Sequence, residues 1–210
     1  MAAPPFTPEE FQRATGVSRE TLDRLVLLAD LLKKWQARIN LVGSDTLADL
    51  WRRHMLDSAQ LAPLIPPGAR TLIDLGSGGG FPGLVLAALC PALDVHLVEV
   101  DARKCAFLRE AAAAMGLRAT IHHRRIEELE PRPFDVVTAR ALAPLTRLLS
   151  LAERFRDPAT TCLFLKGRDV EEELIEAQKS WTMTLRRRPS RSDPAGTILE
   201  LGAIARERPA

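Results

Sequence analysis

Asp74-Leu75-Gly76-Ser77-Gly78-Gly79-Gly80-Phe81-Pro82-Gly83 joins a short apolar run, residues 71–75, to a stretch of helical character, residues 82–90. Strand, glycine cluster and helix in that order mark the start of a parallel α/β sheet. Glycines in such a loop permit positive φ and let a ligand approach the backbone. The carboxyl end of a first strand is where doubly wound sheets bind their ligands. Residues 95–99 form a second strand that ends in Glu99. A carboxylate there can accept both hydroxyls of a ribose.

Downstream the alternation continues. Helix is expected at 102–115, strand at 119–123, strand at 134–138 and helix from Pro144. A fifth strand follows at 161–165 and a helix at 169–179. Alternation of this kind implies a mostly parallel sheet covered on both faces. The end differs. Residues 181–187 and 197–205, joined by a polar Pro/Ser/Asp/Gly stretch, read as a closing antiparallel hairpin. Upstream the chain reads as helices. Thr7, Pro8 and Glu10 make an N-terminal capping box. Ser18 caps a second helix whose apolar face is Leu22, Leu25, Val26, Ala29, Leu32, Trp35 and Ile39. Ser44 or Asp45 is expected to cap a third, through Trp51 and Met55 to about Leu61, before Pro63, Pro66, Pro67 and Gly68 break the chain.

The glycine loop admits more than one ligand. Gly78-x-Gly80-x-x-Gly83 fits a dinucleotide fingerprint, with Glu99 as its acid. A loop that holds no ligand is also open. Asp74 stands two residues before the first glycine, in the Asp-x-Gly-x-Gly-x-Gly order of S-adenosylmethionine-dependent methyltransferases. The terminal hairpin replaces the sixth parallel strand of a dinucleotide fold, and no second domain is present for a reduced substrate. These features favour the methyltransferase class: a Rossmann-like, mostly parallel seven-stranded sheet with a C-terminal antiparallel hairpin and an N-terminal helical extension. Residues 1–66 would be the extension and 67–210 the methyltransferase domain.

Bulk properties set the frame. The 210 residues suit one domain with a short extension. At 46% apolar and 27% charged residues, the chain can build a core and keep a polar surface, and disorder is excluded. A net charge of +2 does not by itself point to a nucleic-acid partner, though a local basic face remains open. Cys90, Cys105 and Cys162 are few, scattered and odd in number, and read as reduced thiols of a cytoplasmic protein. No CxxC pair occurs, so no metal site is expected. His122 and His123 are adjacent on a strand and point to opposite faces, which argues against zinc. Residues 1–8 lack a signal core, and no apolar run approaches the ~20 residues of a membrane span. A monomer is expected.

Further motifs narrow the reading. They are Asn40-Leu41-Val42, Arg53-His54-Met55-Leu56-Asp57-Ser58, the loop through Phe81-Pro82-Gly83, Lys104 with Phe107-Leu108, residues 138–144 (Thr-Ala-Arg-Ala-Leu-Ala-Pro) and Leu165-Lys166-Gly167. On these, the chain closely resembles the bacterial small-subunit rRNA guanine-N7 methyltransferases, the RsmG or GidB family, from about residue 40 to 177. The resemblance implies transfer of a methyl group from S-adenosyl-L-methionine to N7 of a guanine in 16S rRNA, numbered 527 in the standard count, with S-adenosylhomocysteine as product. Its partner would be 16S rRNA in the small ribosomal subunit or its precursor. It implies that Gly76 and Phe81 contact the cofactor, that adenine lies against Ile126 and Glu127, and that Arg140 stands in the site. Ile126 departs from the alanine more usual there, which makes a bulkier adenine wall. Asp74, Ser77, Gly78, Gly80, Glu99, Val100 and Asp101 complete the expected cofactor set.

The chemistry suits that implication. Guanine N7 carries a lone pair and no proton, so in-line positioning can supply most of the acceleration. Arg140, ending the fourth strand, can donate a bidentate pair of hydrogen bonds to guanine, to the cofactor carboxylate or to a phosphate. His54 and Asp57 share one helix face. Arg140 and His54 are the catalytic candidates. Lys166, at the mouth, is a candidate phosphate contact. The clusters are Lys33-Lys34, Arg52-Arg53, Arg124-Arg125 and Arg186-Arg187-Arg188 with Arg191. At least two are expected to share one RNA-binding face, with Arg53, Arg124, Arg125, Arg186, Arg187 and Arg188 as its residues. Trp35 and Trp181 read as core. Three alternatives stay open: methylation of another RNA site, a small molecule or a protein, a dinucleotide-dependent oxidoreductase, and a noncatalytic RNA-binding or assembly factor.

Overall fold

A computed structural model describes residues 6–207. The absence of a signal core, read at residues 1–8, lies through residue 5 outside the described residues. Strands β1 (Thr71–Leu75), β2 (Asp94–Glu99), β3 (Ala119–His123), β4 (Val136–Arg140), β5 (Thr161–Lys166), β6 (Trp181–Pro189) and β7 (Thr197–Arg206) form one sheet in the order β3-β2-β1-β4-β5-β7-β6. Pairings through β5 are parallel. β7 runs antiparallel to both β5 and β6. The strand order reverses between β1 and β4, the switch point at which such sheets open a crevice.

Side chains alternate faces along each strand. Leu72, Val95, Leu97, Val136 and Leu163 enter one core. Their chain neighbours Ile73, Val98, Val137, Cys162 and Phe164 enter a second core on the other face. Helices α4 (Gly83–Leu89) and α5 (Ala102–Ala114) cover the first face, and α6 (Leu145–Ala152) and α7 (Val170–Gln178) the second. With both faces covered, the strands can be apolar almost throughout.

The N-terminal helices are layered over α4 and α5. In α1 (Pro8–Thr15), Thr7 accepts from the Glu10 amide, and the Glu10 carboxylate accepts from the Thr7 amide, a complete capping box. Ser18 caps α2 (Arg19–Gln36). The buried face of α2 is Leu22, Leu25, Leu28, Ala29 and Leu32. Leu28 is an addition to the sequence reading, and Val26 and Trp35 are only half-buried. Ile39 is buried beyond the helix end. Trp181 is buried, and the indole of half-buried Trp35 donates to Glu110 at 3.1 Å.

Two elements differ from the sequence reading. The third helix is neither continuous nor capped by Ser44 or Asp45. A 3-10 turn, Leu47–Asp49, precedes a π-helical segment, Trp51–Leu56, and the short α3 (Asp57–Ala59). The position before the turn belongs to Thr46, which makes no cap bond because its hydroxyl joins Gly43 and His54. β4 starts at Val136, two residues later than expected. The Phe134 amide donates instead to Phe155, and the Asp135 carboxylate accepts from the amides of Arg70 and Thr71, tying down the start of β1. No described helix is long and apolar enough to cross a membrane.

Candidate active site

A cleft of about 1390 Å³ opens at the carboxyl ends of the parallel strands, across the switch point. Its floor is the glycine loop. Gly76 has φ 70°, and a Cβ there would lie 2.6 Å from a Leu142 methyl, so only glycine fits under the loop after β4. Gly83 lets α4 press onto the sheet, since a Cβ would meet Leu97 at 2.2 Å and Asp74 Oδ2 at 2.9 Å. Asp74 is fully buried. It accepts from Thr138 Oγ1 at 2.8 Å and from the Gly83 amide at 3.3 Å. Burial pushes its carboxyl up to about 6, against the lowering effect of those bonds. Asp74 therefore braces the loop from behind rather than reaching the cleft. Gly80 and Asp101, also expected to touch the cofactor, do not line the cleft either. Asp101 caps α5 by accepting from the amides of Arg103 and Lys104.

Gly76, Ser77, Gly78, Phe81, Glu99, Val100, Ile126 and Glu127 all line the cleft. Glu99 Oε2 accepts from the Gly78 amide at 2.9 Å. Its Oε1 accepts from the amides of Val100 at 2.8 Å and Asp101 at 2.9 Å. A carboxylate offers about four acceptor directions, so roughly one stays open and a second hydroxyl would share an oxygen. Val100 is 57% exposed and Ile126 9%. Both side chains put apolar surface into the cleft that Glu99 also lines. Glu127 is ion-paired with Arg147.

At the centre stands a network that the sequence only outlined. Arg140 Nη2 donates to His54 Nδ1 at 2.8 Å and Nη1 to the Arg53 carbonyl at 3.1 Å. Asp57 Oδ2 lies 3.5 Å from Nη1. The guanidinium sits 5.2 Å from the centroid of the Phe81 ring, which packs 5.1 Å from the His54 ring. The His54 tautomer follows from its partners. Arginine only donates, so Nδ1 must accept. Thr46 Oγ1 donates to the Gly43 carbonyl at 2.8 Å, so it accepts from His54 Nε2–H at 2.7 Å. Burial first, then the charges of Arg140 and Arg53, depress the His54 pKa to about 3. The ring is neutral and its one lone pair is already engaged. Burial also lowers the Arg140 pKa, while Asp57 and Asp74 oppose that shift.

The basic residues separate into two groups. Arg124 and Arg125 line the cleft with Lys104, and none of the three forms an ion pair among the described residues. The other expected RNA contacts are engaged. Arg53 pairs with Asp193 at 2.7 Å. Lys166, with a side chain 9% exposed, pairs with Glu173 and donates to the Ala143 carbonyl. Arg186 and Arg188 pair with Glu200, and Arg187 with Glu171. Arg124-Arg125 follows the edge strand β3, whereas Arg186-Arg187-Arg188 lies on β6 at the other edge, roughly 30 Å away across six strand spacings. The structure does not bring those two clusters onto one local patch.

Some cleft residues were absent from the sequence reading. Ser192 and Asp193, in the turn between β6 and β7, line the cleft beside Thr46. Gln36 clamps the loop above the glycines. Its Oε1 accepts from the amides of Leu41 and Val42, and its Nε2 donates to the Val42 carbonyl. The Asn40-Leu41-Val42 motif was the only sequence signal for that loop, and the turn gave none.

Comparison with known proteins places this geometry in context. A family model described as rRNA small subunit methyltransferase G matches residues 21–191. A relative of that name from Paramagnetospirillum magneticum is 60% identical over 201 residues, covering 96% of this chain and 98% of the relative. Among solved structures, a putative O-methyltransferase from Klebsiella pneumoniae is similar at TM-score 0.60 and 16% identity, over 95% of this chain and 97% of that one. A mutant of MtNAS in complex with S-adenosylmethionine aligns at TM-score 0.57 and 16% identity, over 94% and 84%. Likeness at that level of identity concerns the fold.

Proposed function

The chain belongs to the rRNA small subunit methyltransferase G family, and on that premise we propose that it methylates N7 of a guanine in 16S rRNA, the one numbered 527 in the standard count. The enzyme is an S-adenosylmethionine-dependent methyltransferase. The observation that carries the choice of acceptor is the state of His54. Its lone pair is bonded to Arg140 and its pKa lies near 3. His54 is thereby disfavoured as a proton acceptor at neutral pH, which suits a methyl acceptor that has no proton to lose.

The cleft fits the cofactor. At Gly78 only the Gly76 carbonyl lies within 4 Å of a Cβ position, so the backbone there is open to a ligand, and Glu99 lines the cleft with acceptor capacity to spare. Residues 76–78 and Phe81 would hold the methionine part, Glu99 the ribose, and Val100, Ile126 and Glu127 the adenine. When bound, the cofactor supplies the methyl group on a sulfonium. This chain's residues supply alignment. Arg140, fixed at three points, presents its remaining N–H groups to the cleft as rigid donors, which reduces the entropy lost on reaching the in-line geometry. Phe81 and the neutral His54 make the wall behind it. Arg124, Arg125 and Lys104 offer unpaired charge to RNA phosphates at the mouth.

In this reading residues 1–66 are an extension packed on the core and 67–210 the methyltransferase domain, acting as a cytoplasmic monomer on the small subunit or its precursor. Nucleoside mass spectrometry of small-subunit rRNA from cells lacking the gene tests it. One N7-methylguanine should vanish; loss of a different modification would refute the acceptor.

A further inference from the structure

Asp57 bonds in two directions at once. Its Oδ2 faces Arg140 Nη1 at 3.5 Å. Its Oδ1 accepts from Gln60 Nε2 at 3.0 Å and from the Ser192 hydroxyl, with Ser190 Oγ more distant at 3.4 Å. Both charged side chains are largely buried, 15% exposed for Asp57 and 18% for Arg140. The Arg191 amide donates to Gln60 Oε1 at 2.9 Å, so the β6–β7 turn is docked on α3 by backbone as well as by side chain. Three groups fix the plane of the Arg140 guanidinium: the Arg53 carbonyl, His54 Nδ1 and Asp57 Oδ2. Of the three, only Asp57 carries charge. A carboxylate 3.5 Å from a guanidinium attracts it, and in a largely buried site that attraction biases where the guanidinium rests. The rotamer of Asp57 is set by Gln60 and by the hydroxyls of the turn.

We propose that Asp57 is a positioning residue for methyl transfer, holding the Arg140 guanidinium in its working orientation while the Ser190–Ser192 turn holds Asp57. This rests on the function proposed above, in which Arg140 faces cofactor and guanine. Asp57, though it lines the cleft, is assigned no contact with either. It acts on rate through Arg140, and the C-terminal hairpin is thereby part of the alignment of the site.

The test compares Asp57→Asn in the wild-type and in the Arg140→Lys background, with the purified full chain and small ribosomal subunits lacking the modification. In the wild-type background the single-turnover rate at saturating cofactor should fall about 30-fold or more, with cofactor affinity and subunit KM changed less than about threefold. In the Arg140→Lys background the same change should cost less than about threefold, because coupled residues are not additive. An equal factor in both backgrounds, or a parallel loss of cofactor affinity, would overturn the proposal. Ser192→Ala removes one donor to Asp57 without stranding a charge. It should slow the rate about three- to tenfold, again only where Arg140 is present. Nitrogen NMR of the Arg140 side chain reads the hold without any turnover. Its Nη signals should be resolved in the wild type and should merge by rotation in Asp57→Asn; merged signals in the wild type would also overturn the proposal. A wild type that leaves guanine unmethylated but shows the NMR change would refute the assigned acceptor and support the hold.

Discussion

The Arg140 guanidinium donates to Nδ1 of His54 across 2.8 Å, and that bond commits the only lone pair the neutral ring possesses. The histidine beside the proposed reaction centre is thus a wall with a fixed tautomer. Its chemistry is spent before substrate arrives.

The rate of methyl transfer should accordingly be flat in pH. With His54 depressed to about 3, no ionisation of that ring falls between about pH 6 and pH 9. Single-turnover rates at saturating cofactor and RNA check this. His54→Ala should lower the rate without changing the profile, and Arg140→Ala should lower it further. A tenfold rise across neutrality that vanished in His54→Ala would mean that the ring accepts a proton.

The same ring should make the fold acid-sensitive. Its folded pKa, about 3, lies below the unfolded value of 6.5. Between those values the unfolded chain binds a proton that the folded one does not, so stability falls as pH drops through that window and is fully present above it. The shift corresponds to at most ~5 kcal/mol at pH 3. Asp74 acts oppositely. Its pKa is raised to about 6 from 3.8, so acidification relieves a cost of up to ~3 kcal/mol in an overlapping window. Urea unfolding across pH isolates the two. The stability gap between wild type and His54→Gln should narrow on going from pH 7 to pH 3.5. For Asp74→Asn, any advantage over wild type should be greatest above pH 6.

Glu99→Ala should weaken S-adenosylmethionine binding by roughly 1–3 kcal/mol, both by losing the ribose acceptor and by freeing the amides of Gly78, Val100 and Asp101. Calorimetry reads the loss directly. Tight binding of NAD, or an unchanged affinity, would show that the carboxylate serves another ligand.

Gly83→Ala should lower stability by about 1–3 kcal/mol through overpacking, because the added methyl meets Leu97 and Asp74 with no open side. Gly116→Ala provides a contrast. Nothing lies within 4 Å of its Cβ position, and the cost there comes only from φ 64°. Thermal unfolding distinguishes the two.

RNA affinity should fall steeply with salt, and Arg124→Ala with Arg125→Ala should flatten that slope. Changes at Arg186, Arg187 and Arg188 should have less effect on it, since Glu200, shared by Arg186 and Arg188, and Glu171 already offset two of those three charges. Equal flattening by both sets would place RNA across the whole sheet.

Much of the fold could be read from residue order. β1 and β3 span the residues expected of them: β1 is an apolar run closed by Gly76, and β3 follows the left-handed Gly116 just after α5. Residues 47–61 resisted. In a π segment the Asp57 amide reaches back five residues to Arg52, a spacing that leaves no mark on a 3.6-residue pattern. The late start of β4 was hidden for a related reason, since Asp135 serves backbone groups 64 and 65 positions earlier. In the site, the glycines, Glu99 and Arg140 were legible as residue types suited to their places on strand ends. The charge pairing of Lys166 and of the β6 arginines was not, because each partner lies on another element. Ser192 was invisible for the same reason, lying 135 positions from the carboxylate it binds.

That separation of 135 positions has a consequence for synthesis. Domains form from their N-terminal end as the chain grows, at roughly 5–20 residues per second, so the turn carrying Ser192 is made some 3–10 s after Arg140. During that interval Asp57 and Arg140 already exist in the nascent chain while the hydroxyls that fix Asp57 do not. Readiness to react is thus delayed until the last hairpin is in place. A partly made copy can hold most of its sheet and still lack an aligned guanidinium.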